Sequence, residues 1–162
     1  MIRSRALALC VGLLFVSACP SAHQRTYDKE TQRLEQQQRE AEARAAAEHR
    51  EASRYAAVVY FGAGSAVVGP DGQRELRWFV DQMKPYPEAM ILVHGFADTT
   101  GSAAENQDLA QARARAVADT LTKQGIAESR LMVQSFGTES PAATNTTAEG
   151  RRRNRRVEVT VR

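Results

Sequence analysis

Apolar and polar residues follow a regular pattern from about residue 56 to the end of the chain. An apolar, β-prone run over 56–61 ends at Gly62 and predicts a first strand. The next segment has apolar residues at the i, i+3, i+4, i+7 spacing of an amphipathic helix, which Pro85 ends. Those apolar positions are Leu76, Phe79, Val80 and Met83.

The same criteria give one more helix and three more strands. The predicted elements are a strand over 89–96, a helix over 102–124, a strand over 130–136, a surface loop over 137–150 and a strand over 157–161. Ser102 suits the N-cap of the helix, and Gly125 suits its C-terminal end. This β-α-β-α-β-β order predicts an α/β two-layer sandwich, in which helices cover one face of a mixed sheet whose closing strand is antiparallel.

One charged residue falls on the apolar side of the second predicted helix. That side is formed by Asn106, Leu109, Arg113, Val117 and Leu121. Burying an unpaired guanidinium costs several kcal/mol, so Arg113 needs a partner. An internal ion pair, or a stem that carries the charge to solvent, would meet that need. Alternatively, Arg113 and Asp98, the carboxylate of the preceding loop, bind the two charges of a zwitterionic ligand.

Three short motifs occur in order in the second half of the chain. They read GFADTTG over 95–101, GTESP over 137–141 and NRRVE over 154–158. Through these motifs, residues 56–162 resemble OmpA-like domains. Together with the N-terminal segment described below, the chain is similar to peptidoglycan-associated lipoproteins.

The resemblance implies a non-catalytic domain that binds the peptide stem of peptidoglycan, chiefly its meso-diaminopimelate residue. The side-chain end of that residue carries an ammonium and a carboxylate on one carbon. Asp98 would bind the ammonium, and Arg113 would bind the carboxylate through two hydrogen bonds. Asn106 would hold the loop or reach an amide of the ligand.

Two further residues, Thr99 and Gly64, are implied at the same ligand site. The family usually carries aspartates where Gly62 and Gly64 stand, so this chain lacks those side chains. Glycine amides at these positions would still be able to meet a carboxylate. Other envelope proteins are expected as further partners.

Residues 1–18 have the layout of a secretory signal peptide, because a basic start precedes an apolar run over 6–16. The sequence VSAC over 16–19 resembles a bacterial lipobox, which implies a lipid anchor with palmitate on Cys19. The alternative is an ordinary signal peptide that contains a cysteine. Since Pro20, and not an aspartate, follows the cysteine, we expect an outer-membrane lipoprotein that faces the periplasm.

Residues 19–55 are crowded with glutamine, glutamate, arginine and alanine, and Leu34 is almost their only large aliphatic residue. They predict a polar tether, helical or flexible, between the lipid and the domain over 56–162. A fully helical segment over 27–54 would span about 42 Å.

Charge and cysteine content limit the other functions. The formal net charge of +3 falls to about +1 once the two arginines of the signal segment are removed, so no nucleic-acid partner is implied. Cys10 and Cys19 are the only cysteines, which excludes a disulfide framework in the domain. The basic run over 151–156 suggests the alternative of an envelope polyanion-binding or protein-interaction module, although no aromatic residue interleaves with it.

An enzyme is the third class, and the sequence argues against it. The tetrapeptide DTTG over 98–101 is like an aspartic-protease loop, but the expected triplet and a second copy are missing. His94 is the only histidine after residue 55, and no serine or cysteine nucleophile has a base beside it in sequence. We therefore expect no catalysis, no metal site and no cofactor, with His94 packed at the end of a strand.

Overall fold

The computed structural model describes residues 22–162. The predicted signal peptide over 1–18 and the predicted lipid attachment at Cys19 lie outside the described residues. The chain divides into two compact units between Ala41 and Glu42. The second unit contains the whole α/β fold.

Four helices and four strands make up the described chain, as the sequence order predicts for an α/β sandwich. Their bounds are α1 Ala22–Ala52, β1 Ala56–Tyr60, α2 Pro70–Met83, β2 Ile91–Gly95, α3 Ala103–Lys123, β3 Leu131–Ser135, α4 Ala148–Asn154 and β4 Arg156–Val161. The predicted fold class is confirmed. One element differs, because α4 begins within the segment over 137–150 that the sequence predicted to be a loop.

Helix α1 is polar and solvated. The described side chains over 24–50 are exposed almost throughout, and Arg39 pairs with Glu35 across one helical turn at 3.6 Å. Pairs of this spacing stabilise a helix that has little apolar surface to bury. Among residues 22–162, no helix has the combined length and apolar character that crossing a membrane requires.

The sheet has the strand order β1-β4-β2-β3. Strand β4 is antiparallel to both of its neighbours, whereas β2 and β3 are parallel. Val159 of β4 faces Ala57 of β1 on one side and Val93 of β2 on the other. Strands β1 and β2 therefore point the same way, and the loops that follow them leave the same edge of the sheet.

One face of the sheet packs against α2 and α3 to form the core. The four apolar residues predicted for α2 are its buried residues, and Val117 and Leu121 of α3 join the same cluster. Alternate strand residues such as Val157 and Val159 point into this core. Two polar residues of α3, Asn106 and Arg113, are also buried.

The entry into α3 is fixed by a capping box at Ser102, as predicted for the N-cap. Its hydroxyl accepts from the Glu105 amide, and the Glu105 carboxylate accepts from the Ser102 amide. Helix α3 also approaches the end of β2 very closely, since a Cβ on Gly95 would lie 2.1 Å from the Ala110 carbonyl oxygen. Glycine at this position lets α3 lie directly against the strand that leads into the Asp98 loop.

Candidate functional site

An open pocket of about 780 Å³ lies at the sheet edge where β1 and β2 end. Its walls come from the loops after β1 and β2, the first turns of α3, and α4 with the residues before it. All five residues that the sequence assigned to ligand binding line this one pocket. They are Gly64, Asp98, Thr99, Asn106 and Arg113.

The Arg113 side chain is fully buried and is held by backbone carbonyl groups. Nε donates to Ser65 O at 2.8 Å, Nη2 donates to Gly62 O at 3.0 Å, and Nη1 donates to Phe96 O at 3.3 Å. The guanidinium also lies 5.4 Å from the centre of the Phe61 ring. Among residues 22–162, Arg113 thus forms no ion pair, and its side chain does not reach solvent. Three of its five N–H groups donate to carbonyl groups of the described chain, and the other two have no partner there.

The charge of Arg113 survives this burial. The pKa of Arg113 is lowered to about 10, mainly by burial and also by the positive charge of Arg155, whereas the negative charge of Asp98 opposes the change. A pKa of about 10 still leaves the group protonated at neutral pH. The pocket therefore contains a desolvated, fixed cation.

Asp98 is the carboxylate that accompanies this cation, but its protein partner is Arg155. Arg155 Nη1 donates to Asp98 Oδ2 at 2.9 Å, and the amide of Thr100 donates to Oδ1, also at 2.9 Å. Burial acts to raise the pKa of Asp98, yet the hydrogen bonds from Arg155 and Thr100 outweigh it and lower the pKa below its ordinary value. The carboxylate is therefore ionised at neutral pH and retains free lone pairs.

Asn106 lines the pocket with a side-chain amide that makes no hydrogen bond within residues 22–162. The residue as a whole is only 4% exposed. Its amide atoms are not among the fully buried polar atoms that lack a partner in the described chain, so the amide keeps contact with solvent. The amide faces the pocket, where a ligand would supply the missing bonds.

Two asparagine side chains, those of Asn145 and Asn154, hold the loop that carries Asp98. The amide of Thr99 donates to the side-chain oxygen of Asn145 at 3.3 Å, and Asn145 is held in turn by Asn154 at 2.9 Å. Asn154 is fully buried and also bonds both backbone groups of Ala143. The Asp98 loop is thereby joined to α4.

The two glycines that depart from the family pattern take part in different ways. Gly62 supplies the carbonyl group that accepts from Arg113, which any residue type could do. Gly64 has a φ of +64°, a conformation that favours glycine, and a Cβ placed there would meet no atom within 4 Å. At Gly64 the pocket is therefore lined by backbone atoms, with no side chain over them.

Sequence reasoning missed Arg155 as a site residue. Besides its ion pair with Asp98, Arg155 donates through Nε to Phe61 O at 3.0 Å, so it connects the end of β1 to the Asp98 loop. The NRRVE motif over 154–158 could have pointed to Arg155. Because five arginines occur over 151–156, the sequence did not show which of them has a role in the site.

The other arginines of this run point to different partners. Arg152 binds Glu149 through two hydrogen bonds of 3.1 Å, away from the pocket. Arg156 binds Glu158 at 2.6 Å and stacks 3.9 Å above the centre of the Phe96 ring. The basic run is thus divided between separate contacts and is not one continuous cationic surface.

His94 is packed beside the site and does not belong to it. Its ring meets Phe136 edge-on with the centroids 5.0 Å apart, and its buried Nε2 has no partner within residues 22–162. The described chain holds no cluster of three or more histidine, cysteine, aspartate or glutamate residues that would suit a metal ion.

The sequence is similar to proteins of the bacterial cell envelope. Over 103 residues it is 41% identical to the probable lipoprotein YiaD of Escherichia coli, which covers 64% of this chain and 47% of that protein. Over 103 residues it is 37% identical to the peptidoglycan-binding protein ArfA of Mycobacterium tuberculosis, which covers 64% of this chain and 32% of that protein. The chain therefore spans less than half the length of either of these curated relatives.

Solved structures agree with this similarity. The peptidoglycan-associated lipoprotein from Burkholderia pseudomallei aligns with a TM-score of 0.63 and 29% identity, over 65% of this chain and 90% of that one. The cell wall anchor of the T6SS from Pseudomonas aeruginosa aligns with a TM-score of 0.57 and 33% identity, over 65% of this chain and 79% of that one. The model of the OmpA family matches residues 60–155. Because this match covers more than half of the sequence, the chain belongs to the OmpA family.

Proposed function

We propose that this protein is a non-catalytic envelope lipoprotein whose folded domain binds the diaminopimelate-containing peptide stem of peptidoglycan. The observation that carries the proposal is an open pocket lined by one ionised carboxylate, Asp98, and by two arginines, the buried Arg113 and the partly buried Arg155. A ligand that carries both charges on one carbon complements this arrangement better than a simple cation or anion does.

The charges of Arg113, Arg155 and Asp98 would be balanced by one more anion. Arg113 and Arg155 contribute two positive charges, and Asp98 contributes one negative charge. The other acid that lines the pocket, Glu105, is engaged by Ser102 at the start of α3. A ligand carboxylate that accepts from the free N–H groups of Arg113 and from Nη2 of Arg155 would balance the second guanidinium.

The remaining polar groups suit the rest of the ligand. Asp98 already accepts two hydrogen bonds, and its other lone pairs can accept from an ammonium. The unpartnered amide of Asn106 can both donate to and accept from a peptide group of the stem. The ligand would then provide partners for Asp98, Asn106 and Arg113 together.

The names of the relatives agree with this class of ligand. ArfA is named a peptidoglycan-binding protein, and the solved neighbours include a peptidoglycan-associated lipoprotein and a cell wall anchor. The ligand-binding roles of Asp98, Thr99, Asn106, Arg113 and Gly64 are our proposal for this chain.

We further propose that a lipid on Cys19 anchors the protein in the outer membrane, with the domain in the periplasm. Residues 19–55 would serve as the tether, and the exposed polar side chains of α1 suit a solvated spacer. The protein would then link the membrane to the cell wall. Mass spectrometry of the mature N-terminus tests the anchor, since an unmodified Cys19 would contradict it.

Stem tripeptides provide the direct test of binding. The full chain in detergent micelles would be titrated with L-Ala-γ-D-Glu-meso-diaminopimelate and with the same tripeptide ending in L-Lys, and amide NMR shifts would be recorded. Only the first has a zwitterionic side-chain end, so we expect shifts around Asp98 and Asn106 with that tripeptide alone. Equal responses to both peptides, or an unchanged response in Asp98→Asn, would contradict the proposal.

The polyanion alternative makes a different prediction. If the arginines over 151–156 bound anionic glycan as a general cationic surface, then binding to peptidoglycan would fall steeply with salt and would survive the loss of Asp98. Co-sedimentation of Asp98→Asn with peptidoglycan at low and high salt separates the two mechanisms. The division of this run among Glu149, Glu158 and the pocket favours the stem-peptide site.

A further inference from the structure

Arg151 lines the pocket and, unlike Arg152, Arg155 and Arg156, forms no ion pair within residues 22–162. Within residues 22–162, Arg152, Arg155 and Arg156 each form an ion pair with an acid. Arg151 contacts only backbone carbonyl groups in the same range. Among the residues that the structure describes, Arg151 is thus a pocket-lining cation that no acid pairs with directly.

The guanidinium of Arg151 is nevertheless held in one position. Nη1 donates to Asn145 O at 2.8 Å and to Thr146 O at 3.2 Å, so a single nitrogen makes both contacts. Nε and Nη2 have no partner in the described chain. This edge of a guanidinium can bind a carboxylate through two parallel hydrogen bonds.

We propose that Arg151 forms a second carboxylate subsite, separate from the zwitterion subsite at Asp98, Arg113 and Arg155. This inference rests on the proposed function, because it names the stem peptides that the same pocket prefers. The zwitterionic group uses the inner arginines, so the anion at Arg151 must come from another part of the ligand. A free α-carboxylate on the D-glutamate that precedes diaminopimelate has this chemistry.

The volume of the pocket is large enough for a ligand bigger than one amino acid. A volume of about 780 Å³ lies well within the range of sites that hold drug-sized molecules. The other acid on its wall, Glu105, bonds Ser102 and does not neutralise Arg151. The ligand class is therefore a peptide with a zwitterionic end and a second free carboxylate, and amidation of that carboxylate should weaken binding.

Two tripeptides that differ at one group test the inference. The full chain in detergent micelles would be titrated by calorimetry with L-Ala-γ-D-Glu-meso-diaminopimelate and with the form whose glutamate α-carboxylate is an amide. We expect the carboxylate form to bind about tenfold more tightly, as one charge-assisted pair at a half-buried site would give. Arg151→Gln should remove this preference, whereas Arg153→Gln, an exposed neighbour outside the pocket, should retain it.

The outcomes separate this inference from the proposed function. If neither tripeptide binds, the proposed function is wrong. If both bind wild type equally well, the Arg151 subsite is wrong and the zwitterion site stands. Free meso-diaminopimelate should bind wild type and Arg151→Gln alike, so a parallel loss of that ligand would also overturn the subsite.

A second readout covers the case in which Arg151→Gln does not fold. In wild type, the Nε–Hε NMR signal of Arg151 should shift when the carboxylate tripeptide is added and should stay in place with the amide form. Identical behaviour of that signal with both peptides would overturn the inference without any variant.

Discussion

Arg155 Nη1 and Asp98 Oδ2 lie 2.9 Å apart in an ion pair whose side chains are 15% and 9% exposed. The same guanidinium donates through Nε to the Phe61 carbonyl oxygen at the end of β1. Arg155, which lies between α4 and β4, thus holds the Asp98 loop against the end of β1. The geometry of the pocket depends on a residue that contributes to both its shape and its charge.

Replacing Arg155 should therefore affect stability as well as binding. We expect Arg155→Gln to lower the free energy of unfolding by about 3 kcal/mol, because it leaves a buried carboxylate unpaired. Urea unfolding measures this change. Arg152→Gln is the matched control, since its pair with Glu149 is mostly exposed and should contribute less than about 0.5 kcal/mol. Equal effects of the two substitutions would contradict the role assigned to Arg155.

The pH dependence of stability should report the state of Asp98. Because its folded pKa is lowered, Asp98 adds stability above its unfolded pKa of about 3.9, and this contribution disappears as the pH falls through the folded value. The difference in unfolding free energy between wild type and Asp98→Asn should thus be constant from about pH 7 to pH 5 and shrink below about pH 4. Urea unfolding over this range measures it. A difference that vanished near pH 6 would mean a raised pKa instead.

Helical spacing was enough to predict that Arg113 is buried, but not what holds it. The sequence pointed to a carboxylate, since acids are the partners that a pattern of side chains can reveal. The real partners are the carbonyl groups of Gly62, Ser65 and Phe96. Backbone acceptors carry no sequence signature, because every residue has one and only the folded loops bring them together.

The sequence did not predict helix α4 or the role of Arg155, for a different reason. Thr147 caps α4 by accepting from the Gly150 amide, and Glu149 lies in the first turn, so start signals for a helix were present. The helix has only seven residues, too few for apolar periodicity to appear. Unless that helix is recognised, the five arginines over 151–156 look like one continuous surface run.

The carbonyl contacts of Arg113 predict that lysine cannot replace it without a loss of stability. Arg113→Lys keeps the positive charge, but an ammonium cannot span the three carbonyl groups that the planar fork reaches. We expect a loss of about 2 kcal/mol in the free energy of unfolding from the unsatisfied acceptors. Arg115→Lys, two residues along the same helix and exposed, should change it by less than about 0.5 kcal/mol. If Arg113→Lys proved equally neutral in urea unfolding, charge alone would explain the site.

Asn106 offers the clearest separation of function from stability. Its amide lines the pocket, keeps contact with solvent and makes no hydrogen bond within residues 22–162, so the folded protein gains little from it. Asn106→Ala should therefore leave the free energy of unfolding unchanged or raise it by about 0.5 kcal/mol, since alanine is also the better helix former. The same substitution should weaken binding of the stem tripeptide about fivefold or more, through the lost hydrogen bonds to the ligand.

Asn154 is the matched control for that experiment, because it too is a buried asparagine. Its amide bonds both backbone groups of Ala143 and the side chain of Asn145, so Asn154→Ala should cost about 2 kcal/mol of stability. Urea unfolding and tripeptide titration of both variants would distinguish the roles of the two asparagines. If Asn106→Ala destabilised the protein as much as Asn154→Ala, its amide would have a structural partner and its proposed place in ligand binding would fail.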